Sequence, residues 1–287
     1  MHYIMATERV LHMKGGDGET SYTKNSLLQR KVASMVKPIL EDTVKRLMSN
    51  FSSERCWKVA DLGCSSGPNS LFFVSNMLSI MDNVSMSINH RKPRVFQIYM
   101  NDLFGNDFNT IFKLIPDFFQ RIHEEKNDNH GRCFIHATPG DFYGRLFPDD
   151  YIHFFHSSYS LHWLSQGLVE EKKLDFFDLP IYGATAEEVR QVIEEEGSFA
   201  IQTLRTFNIG WDANLHEDVD DSILDSKMKG EFVAKSIRAV FDPLLSVEFG
   251  EDTMDEFFTR YAKKVASLIE LETLEYTNVV VSMSKVS

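Results

Sequence analysis

The stretch KVADLGCSSGPN, Lys58 to Asn69, constrains the fold of this 287-residue chain more than any other. Val59, Ala60 and Leu62 suit a buried strand, while Gly63 and Gly67 let the following turn pass close to a ligand with no Cβ in the way. Asn69 then opens the run SLFFVSNMLSIM, whose apolar residues recur at helical spacing. Strand, turn and helix in this order put a bound ligand outside the carboxyl end of a parallel strand, where α/β sheets hold their ligands.

The turn does not match the dinucleotide pattern GxGxxG, because Cys64, Ser65 and Ser66 separate Gly63 from Gly67. A phosphate-binding GxxxxGK[ST] is also absent, which argues against nucleoside triphosphate chemistry. A ligand with a nucleoside and no phosphates stays open. Val95 to Asn101, VFQIYMN, reads as a second strand ending in Asn101-Asp102, and a carboxylate there can accept both hydroxyls of a ribose. A glycine turn alone is more often a plain strand–helix connection. With Asp102 ending the next strand, the ligand reading is favoured.

Strand–helix alternation continues to Gln166, with Cys133 to His136 as a third strand and Ile152 to His156 as a fourth, so the sheet is mostly parallel. The first fifty residues have a helical pattern after the polar opening HMKGGDGETSYTKNS. That opening carries Lys14, Tyr22, Asn25 and Ser26 around a Gly15-Gly16 hinge. It reads either as a segment that folds over a ligand or as a solvated start. Past the fourth strand, HSSYSLHW gathers Tyr159, His162 and Trp163 where substrate groups sit. On a helical turn Tyr159 and Trp163 share one face; the alternative is a core aromatic pair, and His162 is either a base or a packing residue. No HExxH or CxxC occurs, so zinc hydrolysis has no support.

A formal charge of −12 with no basic run disfavours a nucleic-acid partner. There is no charged-then-apolar start and no apolar run of about 18 residues, so secretion and membrane spanning lack support and the cytosol is the default. Cys56, Cys64 and Cys133 form no CxxC pair and suit a reducing compartment. Cys64 reads as a small turn residue rather than a nucleophile.

Taken together, LHMKGGDGETSYTKNS, VADLGCSSGPN, NDLFGNDFN, GDFYGRLFP and HSSYSLHWLSQ closely resemble the plant SABATH methyltransferases. These methylate salicylate, benzoate, jasmonate, indole acetate and xanthine alkaloids with S-adenosylmethionine. KLDFFDLPIYGATAEEV, IEEEGSF, SIRAVFDPLL, FGEDTMDEFFTRYA and TNVVVSMSK extend the likeness over nearly the whole chain. The resemblance implies an α/β fold: a class I methyltransferase-like, mostly parallel sheet flanked by helices, with a partial α-helical cap. It divides the chain into a cofactor-binding core with an N-terminal lid, residues 1–166, and a cap remnant with C-terminal helices and strands completing the core, residues 167–287.

Carried over by position, the resemblance implies that Lys14, Tyr22, Asn25 and Ser26 belong to the lid over S-adenosylmethionine. Asp61, Gly63, Cys64 and Asn69 then surround the methionine and sulfonium part, and Asp102 and Leu103 meet ribose and adenine. Asp141 and Phe142 fall where the family commonly has serine then phenylalanine. Gln29, Tyr159, His162 and Trp163 match the acceptor pocket, with Ile237 and Tyr276 as further walls; Gln29 and Trp163 orient the acceptor. His162 replaces a methionine common in salicylate-preferring relatives, which weakens salicylate as the acceptor. A magnesium ion held by Asp175, the Phe177 carbonyl and Asp178 is implied in some relatives, the alternative here being a solvated acidic helix end. A homodimer is implied as well.

One departure stands out. Gln166 runs directly into Gly167, where relatives carry on the order of eighty more residues, enough for a strand-crossover unit. Loss of the fifth sheet strand and of one side of the acceptor pocket is the expected consequence. Three functions follow: methylation of the carboxylate of a small plant acid, nitrogen methylation of a xanthine alkaloid, or a shortened non-catalytic form that binds cofactor or pairs with a full-length relative.

Overall fold

The computed structural model describes residues 12–50, 56–87, 95–126, 132–161, 181–211 and 224–286. A short helical turn, α1 (Tyr22–Asn25), precedes α2 (Leu27–Asn50), β1 (Cys56–Leu62), α3 (Pro68–Ser87), β2 (Val95–Asp102), α4 (Phe108–Lys126), β3 (Arg132–Pro139) and β4 (Phe154–Ser157). The four strands expected from the sequence are all present. After them come α5 (Ala186–Glu196), β5 (Phe199–Gly210), α6 (Ser226–Phe249), α7 (Glu251–Leu271) and β6 (Glu275–Lys285).

β1 to β4 form one parallel sheet in the order β3-β2-β1-β4. Its register aligns Val59 with Ile98 and Phe154, and Ile98 with Ile135, so these side chains leave the sheet on one face. That face is the core. Trp57, Val59, Phe96, Ile98 and Met100 pack there with Val74, Met77, Ile80 and Met81 of α3 and with Ile111 and Phe118 of α4. α3 can start at Pro68 because the first turn of a helix needs no amide hydrogen from that residue. Each fully buried large apolar side chain contributes about 1.5–3 kcal/mol, which makes α3 on β1 and β2 the main source of stability.

The opposite face differs. It carries Lys58, Gln97, Tyr99, Phe134, His136 and Phe155, of which Phe134 is 46% and Phe155 53% exposed. Its cover is the loop before β4: the Tyr99 and Tyr151 hydroxyls meet at 2.8 Å, Phe147 packs edge-on against Tyr99, and the Lys58 ammonium lies 3.7 Å above the Tyr151 ring. Parallel sheets are ordinarily buried on both faces.

β5 and β6 pair antiparallel in a sheet of their own. The expectation that carboxy-terminal strands complete the core sheet is therefore not met among the described residues: no hydrogen-bonded ladder joins them to β4. Contact with the core runs through side chains, the Tyr159 hydroxyl donating to Asn278 Oδ1 at 2.5 Å and Thr43 on α2 meeting Ser282 at 2.8 Å. A sheet that lacks an intervening strand has this form. α6 and α7 make a hairpin around Leu245, Met254 and Phe258. Among the described residues, no helix is long and apolar enough to cross a membrane.

Candidate active site

The turn after β1 hangs from the end of β2. The amides of Gly63 and Cys64 both donate to the Asn101 carbonyl at 2.9 Å, and that of Ser65 donates to Asp102 Oδ2 at 2.7 Å. Gly63 has φ +74°, and a Cβ there would stand 2.3 Å from Ser160 Cβ, so no other residue fits. Ser65 also lies in the left-handed region, at φ +58°, a strain that functional turns often hold. Asn101 is buried and ties β2 to β3 by donating to the carbonyls of Thr138 and Gly140, each at 2.8 Å. The Leu103 amide donates to Asp102 Oδ1 at 2.8 Å. Burial pushes the Asp102 carboxyl up to about 6, against the pull of these two amide donors.

Asp61 is buried at the end of β1, with its Oδ1 2.7 Å from Nδ1 of His156, whose ring stacks on Phe73. Burial, with the carboxylates of Asp102 and Asp61 nearby, holds the Cys64 thiol well above its ordinary range. It therefore stays protonated, as a small turn residue and not a nucleophile.

The polar opening of the chain folds over this turn. Tyr22, Asn25 and Ser26 are buried; Asn69 Nδ2 donates to the Ser26 carbonyl at 2.8 Å and meets its hydroxyl at 2.9 Å. A Cβ on Gly67 would lie 2.7 Å from Thr23 Oγ1, so glycine admits the lid here. Burial, reinforced by Asp102, raises the Tyr22 phenol above its ordinary value. Lys14, expected beside the cofactor, instead pairs its ammonium with Asp242 of α6. Along the seam between lid and turn, Ser21 Oγ, Thr23 Oγ1, Gln29 Oε1, Ser65 Oγ, Ser66 Oγ and Asn106 Oδ1 are buried with no partner among the described residues. Each costs about 1–3 kcal/mol until a polar ligand meets it.

On the adenine side, Leu103 is half-buried, Phe142 packs near Gly63 and against Tyr143, and exposed Asp141 accepts from the Tyr143 amide at 2.9 Å. On the acceptor side, Tyr159 has φ +56°, so it does not lie in the helical turn expected there. Its phenol reaches Asn278, and burial pushes it up to about 12. Tyr276 stacks on Trp211 with ring centres 5.1 Å apart, while Ile237 packs into the α6–α7 cluster. His162, Trp163, Asp175, Phe177 and Asp178 lie outside the described residues. Among the described residues, no group of three or more His, Cys, Asp or Glu side chains is arranged to hold a metal ion.

Sequence reasoning passed over His156, Asn106 and Asn278. His156 carried a signal, being the last residue of the fourth expected strand and so at the ligand end of the sheet.

A parallel sheet with a glycine turn after its first strand and an acid ending its second is the arrangement of a class I methyltransferase around a nucleoside cofactor. The chain belongs to the SAM dependent carboxyl methyltransferase family, the SABATH enzymes, whose pattern matches residues 8–167 and 165–286. It is 34% identical over 378 aligned positions to "Probable caffeine synthase MTL2" of Coffea canephora and 34% identical over 372 to "7-methylxanthine methyltransferase 1" of Coffea canephora, with 98% of each chain covered. It is 33% identical to "Probable jasmonic acid carboxyl methyltransferase 1" of Theobroma cacao, covering 98% of this chain and 100% of that one. A solved loganic acid methyltransferase with SAH has the same fold at a TM-score of 0.74 and 21% identity, over 95% of this chain and 98% of that one.

The two matched pieces meet at residues 165–167, where Gln166 runs into Gly167. An alignment of 378 positions exceeds the 287 residues of this chain by 91, so at least that many positions of the relative have no counterpart here. The cofactor of this family is S-adenosylmethionine, and the chemistry of the seam suits it: buried hydroxyls and amide oxygens offer partners for an amino acid group, and the carboxylate at the end of β2 is of the kind that accepts from ribose hydroxyls.

Proposed function

We propose that this chain methylates the carboxylate of a small plant acid, a benzoate-, salicylate- or jasmonate-like molecule. The observation that carries this reading is that the described titratable side chains around the turn are each held protonated by burial or already hydrogen-bonded. Cys64, Tyr22 and Tyr159 are held protonated by burial, Asp61 is engaged by His156, and Asp102 by two backbone amides. An acceptor must then arrive ionised, and carboxylic acids titrate near 4.

S-adenosylmethionine, when bound, supplies an electrophilic methyl group on a cationic sulfonium. Asp61, Gly63, Cys64 and Asn69 would hold its methionine end, Asp102 would accept from its ribose hydroxyls, and Leu103, Asp141 and Phe142 would border its adenine. Tyr22, Asn25 and Ser26 exclude water, which strengthens the attraction between the acceptor anion and the sulfonium. Gln29 and Trp163 hold one carboxylate oxygen toward the methyl group, and Tyr159, His162, Ile237 and Tyr276 bound the acceptor. In this reading residues 1–166 carry the cofactor with Gln29, Tyr159, His162 and Trp163 of the acceptor pocket, and residues 167–287 add Ile237 and Tyr276. A cytosolic location, a homodimer and magnesium at Asp175, Phe177 and Asp178 rest on the family resemblance.

A second reading, nitrogen methylation of a xanthine, is favoured by the names of the Coffea relatives. A third, a non-catalytic cofactor-binding partner, is favoured by the stretch absent at Gln166–Gly167. Incubating the purified chain with methyl-labelled cofactor and a panel of acids and xanthines separates all three. Base-labile label in multiple turnovers supports the ester; base-stable label transfers the reading to xanthine; failure to exceed one turnover with any acceptor leaves the third.

A further inference from the structure

The lid is fastened on both flanks by residues that do not line the turn. The Lys14 amide donates to the Ala239 carbonyl of α6 at 3.1 Å, and the Lys14 carbonyl accepts from the Tyr22 amide at 2.9 Å. The Lys14 ammonium pairs with Asp242, one helical turn along from Arg238, and Arg238 Nε also reaches Asp242, at 3.2 Å. Arg238 continues to Asp255 of α7 at 2.7 Å, with its guanidinium over the Phe258 ring. On the other flank, the Gly16 amide donates to Asp107 Oδ2 at 3.1 Å. Asp107 in turn accepts from the Thr110 amide and hydroxyl at the start of α4.

Asp242 is 5% exposed, and a carboxylate so buried needs a cation. Arg238 already supplies one from the same helix. Arg238 is shared with Asp255, so Lys14 adds a second cation to Asp242 and, with it, a fixed position for the lid. Tyr22 hangs by its amide from Lys14 and is the buried aromatic side chain of the lid over the turn.

We infer that Asp242 is a positioning residue for cofactor binding: by anchoring Lys14 it sets the backbone that closes Tyr22 over the turn, and it couples the cofactor site to the α6–α7 hairpin. The inference rests on the placement of the cofactor beneath the lid, and it replaces a direct role for Lys14 with an indirect one.

A double-mutant cycle on S-adenosylhomocysteine affinity, measured by calorimetry with Lys14→Met, Asp242→Asn and the pair together, tests it. Each single change is expected to raise Kd roughly tenfold, the pair to be no weaker than the weaker single, and Lys14→Arg to retain most of the affinity. Hydrogen exchange of amides 15–26 in the saturated protein is expected to quicken in both single variants. A lysine that touches the cofactor itself predicts otherwise: Asp242→Asn leaves Kd unchanged or tightened, and the two effects add. That outcome overturns the inference. Should Asp242→Asn lose cooperative unfolding, Lys14→Met decides alone: unchanged lid exchange in that variant overturns the anchor. If the unaltered chain binds no S-adenosylhomocysteine, the cofactor placement itself fails.

Discussion

Asp102 stands under two opposed influences. Burial favours its neutral form and lifts the carboxyl from 3.8 to about 6, while the amides of Ser65 and Leu103 favour the anion. Between those two values the folded chain holds a proton that the unfolded chain has lost. Its contribution to stability therefore falls as pH rises through that window, by about 3 kcal/mol at most. Ribose hydroxyls need the ionised acceptor, so the sign for binding is the reverse. S-adenosylhomocysteine affinity is expected to weaken as pH falls through about 6, and Asp102→Asn to weaken it at every pH and flatten the profile. Calorimetry between pH 5 and 8 checks both, and an equal slope in the variant assigns the titration elsewhere. His156→Ala leaves the Asp61 carboxylate buried without its partner, so a loss of about 2–4 kcal/mol is expected in urea unfolding. Gly63, Asn69 and Asp102 were legible in the sequence because a turn's backbone demands are local. The Asp61–His156 and Lys14–Asp242 pairs were not, since they join residues 95 and 228 positions apart and depend on how distant elements pack.

At the scale of elements, β1 to β4 were legible as short apolar runs, because a buried parallel strand shows little alternation. Tyr159 shows the limit of such reading. A spacing of four suggested a helical turn with Trp163, but the residue takes φ +56° and its phenol donates to Asn278 on β6, 119 positions away. The α6–α7 hairpin gives an element-scale test. Gly230 sits inside α6, where alanine is the better helix former by about 1 kcal/mol. A Cβ there would lie 2.5 Å from the Ala262 carbonyl oxygen and 2.9 Å from the Ala266 amide nitrogen of α7. Backbone atoms cannot swing aside as a flexible side chain does, so the helices must separate, at a cost of about 1–3 kcal/mol or more. Gly230→Ala is therefore expected to lower the unfolding free energy by up to about 2 kcal/mol. A thermal melt that rises instead would show the hairpin yielding at no cost.

For the whole molecule, the open side of the sheet and the junction at Gln166–Gly167 have one explanation. A doubly wound sheet is covered on both faces by its crossover helices, and a chain that omits a crossover unit omits part of that cover. Phe134 and Phe155 stand half exposed on the face opposite α3, and β5 and β6 form a ribbon apart from β4. Every described cofactor-side residue from Tyr22 to Phe142 precedes the junction, which keeps the turn, the lid and Asp102 intact. Inserting the matching stretch of the Coffea canephora relative between Gln166 and Gly167 tests whether the two defects share a cause. Covering two half-exposed phenylalanines contributes about 2 kcal/mol, or roughly 4–8 °C in Tm. The insertion is expected to raise Tm by that amount and to suppress binding of a hydrophobic dye, with S-adenosylhomocysteine affinity changed less than about threefold because the binding half of the site is already built. Unchanged dye binding would mean that the junction does not open this face. A large gain in cofactor affinity would mean that the turn and lid are not complete without the cap, and that binding and catalysis in this fold are not separable at Gln166.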